Sequence, residues 1–152
     1  MEKVGNNKTV KPEVALAVLE RNGRWLLQLR DDQQTIIHPG HWGLFGGHLE
    51  QGEQASEAVR RELMEEINWS PQEPLSPWFR NDSGQRIVHI YRGKLNVPVE
   101  QLCLKEGQDL QLVTVKAIQS GRIWSQKLRE TRPIVPGLMI VYQRWMDIKN
   151  GN

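Results

Sequence analysis

The stretch from Gly47 to Trp69, GHLEQGEQASEAVRRELMEEINW, constrains this chain more than any other. Ala, Glu, Arg, Leu and Met fill most positions from Ala55 to Ile67, with no Gly or Pro among them, so the spacing predicts a helix over Ala55–Ile67. At ~100° per residue, Val59, Leu63 and Ile67 form one apolar stripe that must face a core. Glu62, Glu65 and Glu66 fall on the adjoining edge, within roughly 100° of arc. Like charges at these spacings repel by a few tenths of a kcal/mol per exposed pair. An acidic run on a helix is ordinarily a solvated face. The preceding Gly46-Gly47 pair and the isolated Glu53 shift the balance toward a built site. A hard divalent cation suits it, because Mg²⁺ prefers oxygen ligands, binds through one or two carboxylates and keeps waters and substrate phosphates in its shell.

At this point the segment resembles the Nudix box, written G-x5-E-x7-R-E-U-x-E-E-x-G-U with U a bulky apolar residue. Gly47, Glu53, Arg61, Glu62, Leu63, Glu65, Glu66 and Trp69 match it. Asn68 stands where the pattern has glycine, at a position just past the helix where a left-handed residue sits. Asn is the common substitute for Gly in that conformation.

The resemblance implies an α/β fold, a mixed β-sheet sandwiched between α-helices. It implies one domain over residues 1–152, with 1–11 as a loose N-terminal arm. It implies Mg²⁺, with Mn²⁺ as a substitute, held by Glu62, Glu65 and Glu66, with the main-chain carbonyl of Gly46 as a further ligand. Arg61 is expected to pair with Glu53 and brace the loop against the helix, an arrangement for which an Arg fork suits a carboxylate better than Lys. Glu53, Arg61, Glu62 and Glu66 thereby make up the catalytic group. The general base varies within the family. It is a box glutamate or an acidic residue of a later loop, for which Glu106 and Asp109 in KEGQDL are the candidates, a solvated turn being the other reading of that segment. Arg30 and Gly47 are expected beside the substrate phosphates, with a plain surface charge as the alternative for Arg30. Many members of the family are homodimers.

Length and charge bound the rest. A chain of 152 residues is one ordinary domain with room for a sizeable core. A net charge of +2 is too small to argue for a nucleic-acid partner. The single cysteine, Cys103, excludes an internal disulfide and fits a reducing cytoplasm; lying between Leu102 and Leu104, it reads as a small core or strand residue. No apolar run approaches the ~20 residues of a membrane span, and MEKVGNNKTVKPE lacks a signal-peptide apolar region, so a cytoplasmic location is expected.

Periodicity and turn residues predict strands at Glu13–Glu20 and Arg24–Arg30 around an Asn22-Gly23 turn. They predict a polar loop at Asp31–His41 and a short strand at Trp42–Phe45 leading into a glycine loop. A second hairpin joins Pro77–Asn81 to Arg86–Leu95. Asp109–Val115 is a strand, Val115–Ser120 a short helix, and Pro133–Lys149 holds a C-terminal helix. His38, His41 and His48 crowd the glycine approach, where hydrogen-bonding or solvent-exposed roles suit imidazole better than a place in a carboxylate-rich site. Trp25 and Trp145 read as core. Trp42, Trp78 and Trp124 are candidates for stacking on a base, worth ~1–3 kcal/mol where it occurs, against packing as the commoner role. Lys127, Arg129 and Arg132 form a basic cluster that either meets substrate phosphates or is simply solvated.

The reaction implied is hydrolysis of the diphosphate bond in a nucleoside diphosphate linked to a moiety X, a small-molecule partner, with Mg²⁺. A nucleotide sugar such as ADP-ribose and a nucleoside triphosphate are both open. The proline that follows the box in ADP-ribose hydrolases is not found, Ser83-Gly84-Gln85 lying about that far along. The alternative is a catalytically silent domain that senses a nucleotide or nucleotide sugar; its box is usually eroded, and this one keeps all three carboxylates. An RNA-decapping or alarmone-cleaving enzyme fits the chemistry but lacks a distinct basic surface.

Overall fold

The computed structural model describes residues 10–151, so most of the expected N-terminal arm lies outside the described residues. The chain runs β1 (Glu13–Arg21), β2 (Arg24–Leu29), β3 (Trp42–Gly43), β4 (Phe45–His48), α1 (Ala55–Ile67), β5 (Ser76–Asn81), β6 (Ile87–Lys94), β7 (Asp109–Thr114), α2 (Val115–Gln119), β8 (Arg122–Ser125), β9 (Glu130–Pro133) and α3 (Pro136–Lys149). Seven strands form one mixed sheet, β3-β2-β1-β6-β5, with β4 added on β1 and β7 on β2. The β1–β6 pair is parallel, and the others are antiparallel. The α/β fold with a mixed sheet between helices is therefore as expected.

Side chains on the two faces of a strand alternate, and β1 divides accordingly. Ala15, Ala17 and Leu19 meet Ala58, Val59, Leu63 and Ile67 of α1. Val18, with Trp25 and Leu27 of β2, faces Leu138, Val141 and Tyr142 of α3 and Ile118 of α2. Full burial of an aliphatic side chain stabilises by ~1.5–3 kcal/mol, so the apolar stripe of α1 outweighs the few tenths per pair of repulsion on its acidic edge. Leu63 and Ile67 are fully buried. The helix starts where Glu57 accepts from the Gln54 N–H at 2.9 Å, and it ends at Asn68, whose φ of 54° and ψ of 44° are left-handed. Asparagine thus takes the left-handed conformation expected just past the helix.

Four expectations need correction. The strand predicted over Trp42–Phe45 is two strands, because the chain changes partner at Leu44: β3 pairs with β2 and β4 with β1. The glycine pair therefore lies in strand β4 and not in a loop. The C-terminal helix begins at Pro136, a residue suited to a first turn; Ile134 instead bridges to Trp42, and the Val135 N–H donates to the Trp42 carbonyl at 2.8 Å. The hairpin β8–β9 was not predicted. Cys103 is exposed in an irregular segment, not in a core or strand, because its backbone is spent on α1, its N–H donating to the Ile67 carbonyl.

Candidate active site

The site is built where α1 meets β4. The register Ala15↔Gly47 and Leu16↔Gly46 lays the glycine pair along β1. A Cβ at Gly46 would stand 2.1 Å from the Ala15 carbonyl oxygen, and Gly46 has a φ of 138°. A Cβ at Gly47 would stand 2.5 Å from the carboxyl carbon of Glu62. Glycine at 46 lets two backbones approach, and glycine at 47 leaves the space that the Glu62 carboxylate fills.

Arg61 organises the acidic edge. Its Nε and Nη2 donate to the two oxygens of Glu53 at 2.8 and 2.9 Å, a two-pronged fork. Nη2 also donates to the His48 carbonyl at 3.0 Å. Nη1 reaches Glu62 at 3.1 Å and Glu65 at 3.2 Å. The guanidinium holds the Glu53 carboxyl down to about 2, so this carboxylate stays charged at any working pH. The Glu50 N–H adds a 2.9 Å bond to it. Glu53 and Arg61 are thereby placed as the brace between the β4–α1 connection and the helix.

Glu66 behaves differently. It is 2 % exposed, and one oxygen accepts from the Gly46 N–H at 2.9 Å. Burial pushes its carboxyl up to about 9, with the charges of Glu62 and Glu106 adding to the rise and the Gly46 bond and the charge of Arg30 opposing it. Burial also raises the Glu62 carboxyl. Even with Arg30 in electrostatic reach, a buried carboxylate with a single N–H donor, beside a second one, is short of positive charge. That donor set fits a hard divalent ion. Among the described residues no three acidic, His or Cys side chains already converge at metal-binding distance. Glu65, on the exposed side of the edge, is turned to Arg61.

Glu106 joins this group through the backbone. The N–H groups of Cys103 and Lys105 donate to the Ile67 and Glu66 carbonyls at the end of α1, at 3.1 and 2.8 Å. Gln28 holds the Glu106 carbonyl at 2.9 Å, leaving its carboxylate exposed at the cleft. Asp109, the other late candidate, is buried and accepts from the Ser125 hydroxyl at 2.7 Å. The Ser125 oxygen in turn receives the Leu128 N–H. Asp109 fastens the β8–β9 hairpin to the sheet and does not face the cleft.

A cleft of about 590 Å³ opens from the acidic edge across the α3 face of the sheet. Glu62, Glu65, Glu66 and Glu106 line one end. Leu16, Phe79, Val88, Leu138 and Val141 line an apolar middle. Arg30, Gly46, Gly47, His38 and His48 are in its wall, as are two residues that sequence reasoning missed, Asn81 and Arg86. The signal for Arg86 was its even spacing with Val88 and Ile90, which puts all three on one face of β6.

The aromatic and basic candidates mostly fall elsewhere. Trp42 is fully buried, its indole N–H donating to the Ile123 carbonyl at 3.1 Å; it packs and cannot stack on a base. Trp25 is core, with Trp145 edge-on at 6.2 Å. Trp78 carries Arg92 over its ring at 4.6 Å. Trp124 is 48 % exposed on β8, outside the cleft lining. Arg132 is tied to Asp32 and Glu130, so the basic cluster does not present it to a phosphate. The His41 ring nitrogen lies 2.9 Å from the Pro39 carbonyl.

Comparison with known proteins places the chain in a family. The family model described as the NUDIX domain matches residues 9–132. A nucleoside triphosphatase NudI from Enterobacter sp. (strain 638) is 36% identical over 71 residues, which is 45% of this chain and 50% of that protein. The chain thus spans about half the length of the curated relatives it matches. Among solved structures, the MutT protein from Methanosarcina mazei Go1 superposes with a TM-score of 0.66 at 18% identity, covering 93% of this chain and 96% of the other. The NUDIX domain of Shewanella oneidensis NrtR, solved with ADP ribose, gives 0.67 at 15% identity, with 95% and 92% covered. A chain matched by that family model over most of its length belongs to the Nudix domain family.

Proposed function

We propose that the chain is a Mg²⁺-dependent pyrophosphohydrolase acting on a nucleoside diphosphate linked to a moiety X. The observation that carries this reading is Glu66: a buried carboxylate with one N–H donor, beside Glu62, at the acidic end of a nucleotide-sized cleft. The activities named for relatives, nucleoside triphosphatase and Ap4A hydrolase, belong to the same reaction class.

A divalent cation at such a site neutralises phosphate charge and lowers the pKa of bound water. Glu62, Glu65, Glu66 and the Gly46 carbonyl are the groups that would hold it, with Mn²⁺ as a substitute. Glu66 is aimed by the Gly46 N–H, and Glu62 is seated in the space over Gly47. Arg61 and Glu53 fix the helix against β4, and Glu62 and Glu65 would leave Arg61 Nη1 to take up the ion. Glu106 stands at the cleft as an exposed carboxylate able to take a proton from attacking water. The apolar middle, with Phe79 and Leu138, receives the organic part of the substrate and excludes water from it.

Arg61 occupying both Glu62 and Glu65 favours a second reading, a sensor that binds a nucleotide without turnover. One experiment separates the two. Purified protein with Mg²⁺ is given a panel of nucleoside triphosphates, nucleotide sugars and dinucleoside polyphosphates. Release of a monophosphate, lost by at least ~100-fold in Glu66→Gln, is the expected result. Binding by calorimetry with every compound left intact replaces the enzyme with the sensor.

A further inference from the structure

The strands beneath the cleft carry its side chains in rows. Gly46 of β4 pairs with Leu16 of β1, Leu16 with Ile90 of β6, and Ile90 with Phe79 of β5. The next row is His48, Val14, Val88 and Asn81. Paired residues share a face of the sheet, and all eight line the cleft. Phe79 and Asn81 therefore stand three strand spacings from β4, roughly 14 Å across the sheet. The carboxylates of the cleft, Glu62, Glu65, Glu66 and Glu106, gather at the β4 end. A diphosphate held there lays its ribose over the apolar middle and brings its base to Phe79 and Asn81.

Phe79 is a fixed wall, with Arg144 over its ring at 4.3 Å and Trp78 edge-on at 5.2 Å. Asn81 is half-buried, and its amide is locked in one sense. The N–H and the hydroxyl of Ser83 both donate to Asn81 Oδ1, at 3.1 and 2.8 Å. A backbone N–H needs an acceptor, so the amide oxygen faces the turn, and its two lone pairs are filled. The NH₂ is the end left over, and it has no partner among the described residues. Arg86, two residues before Val88 on the same face, also lines the cleft, and a guanidinium can only donate.

An asparagine that reads adenine accepts from the amino group while donating to the adjacent ring nitrogen. Asn81 has spent its oxygen on Ser83 and cannot make that pair. A fixed NH₂ beside a guanidinium is satisfied by an acceptor on the base edge, such as the keto oxygen of guanine or of uracil. The amino group of adenine or cytosine would set N–H against N–H and leave donors unpaired in a half-buried place. Resting on the pyrophosphohydrolase reading, we infer that Asn81 is a base-reading residue that donates to a keto oxygen, so that the preferred substrate carries an oxo base and not an amino base.

Two matched pairs isolate that group: inosine against adenosine, and uridine against cytidine, each exchange a keto oxygen for an amino group at the same ring position. Their monophosphates with Mg²⁺ are titrated into the protein by calorimetry, an arm that needs no turnover, and their triphosphates are compared by kcat/KM. Wild type is expected to favour the keto member about tenfold in at least one pair. The pair that shows it tells a purine from a pyrimidine substrate. Asn81→Asp keeps an acceptor for the Ser83 N–H but offers the base an acceptor in place of a donor, and is expected to bring the ratio to about one or below. The charge it adds bears on both members alike, so the ratio reports the edge alone. Asn96→Asp, the same change at an exposed residue outside the cleft, keeps the wild-type ratio. A wild-type ratio within about twofold of unity in both pairs, a preference for the amino member, no binding of any monophosphate, or a ratio that survives Asn81→Asp overturns the assignment. If wild type cleaves no triphosphate while the calorimetric ratio holds, the hydrolase reading fails and the base reading stands.

Discussion

Two adjacent glycines with opposite duties show how tightly single residues determine this site. A Cβ at Gly46 meets the backbone oxygen of Ala15, which cannot move without breaking the β1–β4 pairing, and the positive φ adds strain. A Cβ at Gly47 meets only the end of the Glu62 side chain, which can swing away. The two alanine variants should therefore separate stability from activity. Gly46→Ala is expected to lose ~2 kcal/mol or more in urea unfolding, within the range of overpacking and backbone strain. Gly47→Ala should unfold within ~1 kcal/mol of wild type but lose most turnover, because Glu62 is displaced. Loss of stability in both, or of activity in neither, would contradict the roles drawn for them. The same scale explains Asn68: the helix ends there in a left-handed conformation, which an amide side chain tolerates at modest cost.

At the scale of elements, the loop between β2 and β3 forms one rim of the cleft and is fastened by a residue distant in sequence. Arg132 of β9 binds Asp32 at 2.9 Å and the Gly40 carbonyl at 3.3 Å, gripping both ends of the segment that carries Ile36, Ile37 and His38. Arg132→Gln should leave the sheet intact, lower Tm by only a few degrees (~1 kcal/mol is roughly 2–4 °C at this size), and raise KM more than it lowers kcat. Limited proteolysis should then cut first between residues 32 and 40; cleavage elsewhere would argue against the fastening. This contact marks where sequence reasoning stopped. The β1–β2 hairpin, α1 and the β5–β6 hairpin were legible because local turn residues and periodicity specify them. The β8–β9 hairpin was not, because RIWS and ETRP are too short to show a pattern, and what fixes them is non-local: burial of Ile123 in the core and the Asp109–Ser125 bond. The break at Leu44 was equally hidden, since a change of strand partner leaves no local pattern. In the site, the spacing of the box placed Glu62, Glu65 and Glu66 on one edge of a helix. It could not show that Glu66 would be buried and Glu65 exposed, which depends on where β4 crosses the helix.

At the scale of the whole molecule, the cleft stores a charge conflict whose relief is measurable. Glu66 has its carboxyl raised to about 9 by burial, against an unfolded value of 4.5. For a carboxyl whose folded pKa lies above its unfolded pKa, the unfolded chain ionises first. Stability from this group is therefore full below about pH 4.5 and is lost as pH rises toward 9. Metal-free protein should become steadily less stable across that window, and Glu66→Gln, which keeps an acceptor for the Gly46 N–H but carries no charge, should flatten the decline. A cation reverses the sense, because it binds the ionised carboxylate and must displace a proton below pH 9. Apparent Mg²⁺ affinity should then rise with pH, by up to ~tenfold per unit for a single displaced proton, and level off near pH 9. The rise in Tm on adding Mg²⁺, which follows RT ln(1 + [L]/Kd), should accordingly be larger at pH 8 than at pH 6. Calorimetry in buffers of different ionisation enthalpy should detect up to one proton released per ion at pH 7. Glu66→Gln should abolish both the proton release and the pH dependence, while EDTA returns wild type to the metal-free curve. Mg²⁺ stabilisation that is flat from pH 6 to pH 9 in the wild type would mean that Glu66 does not give up a proton to the ion, and the buried carboxylate would need another account.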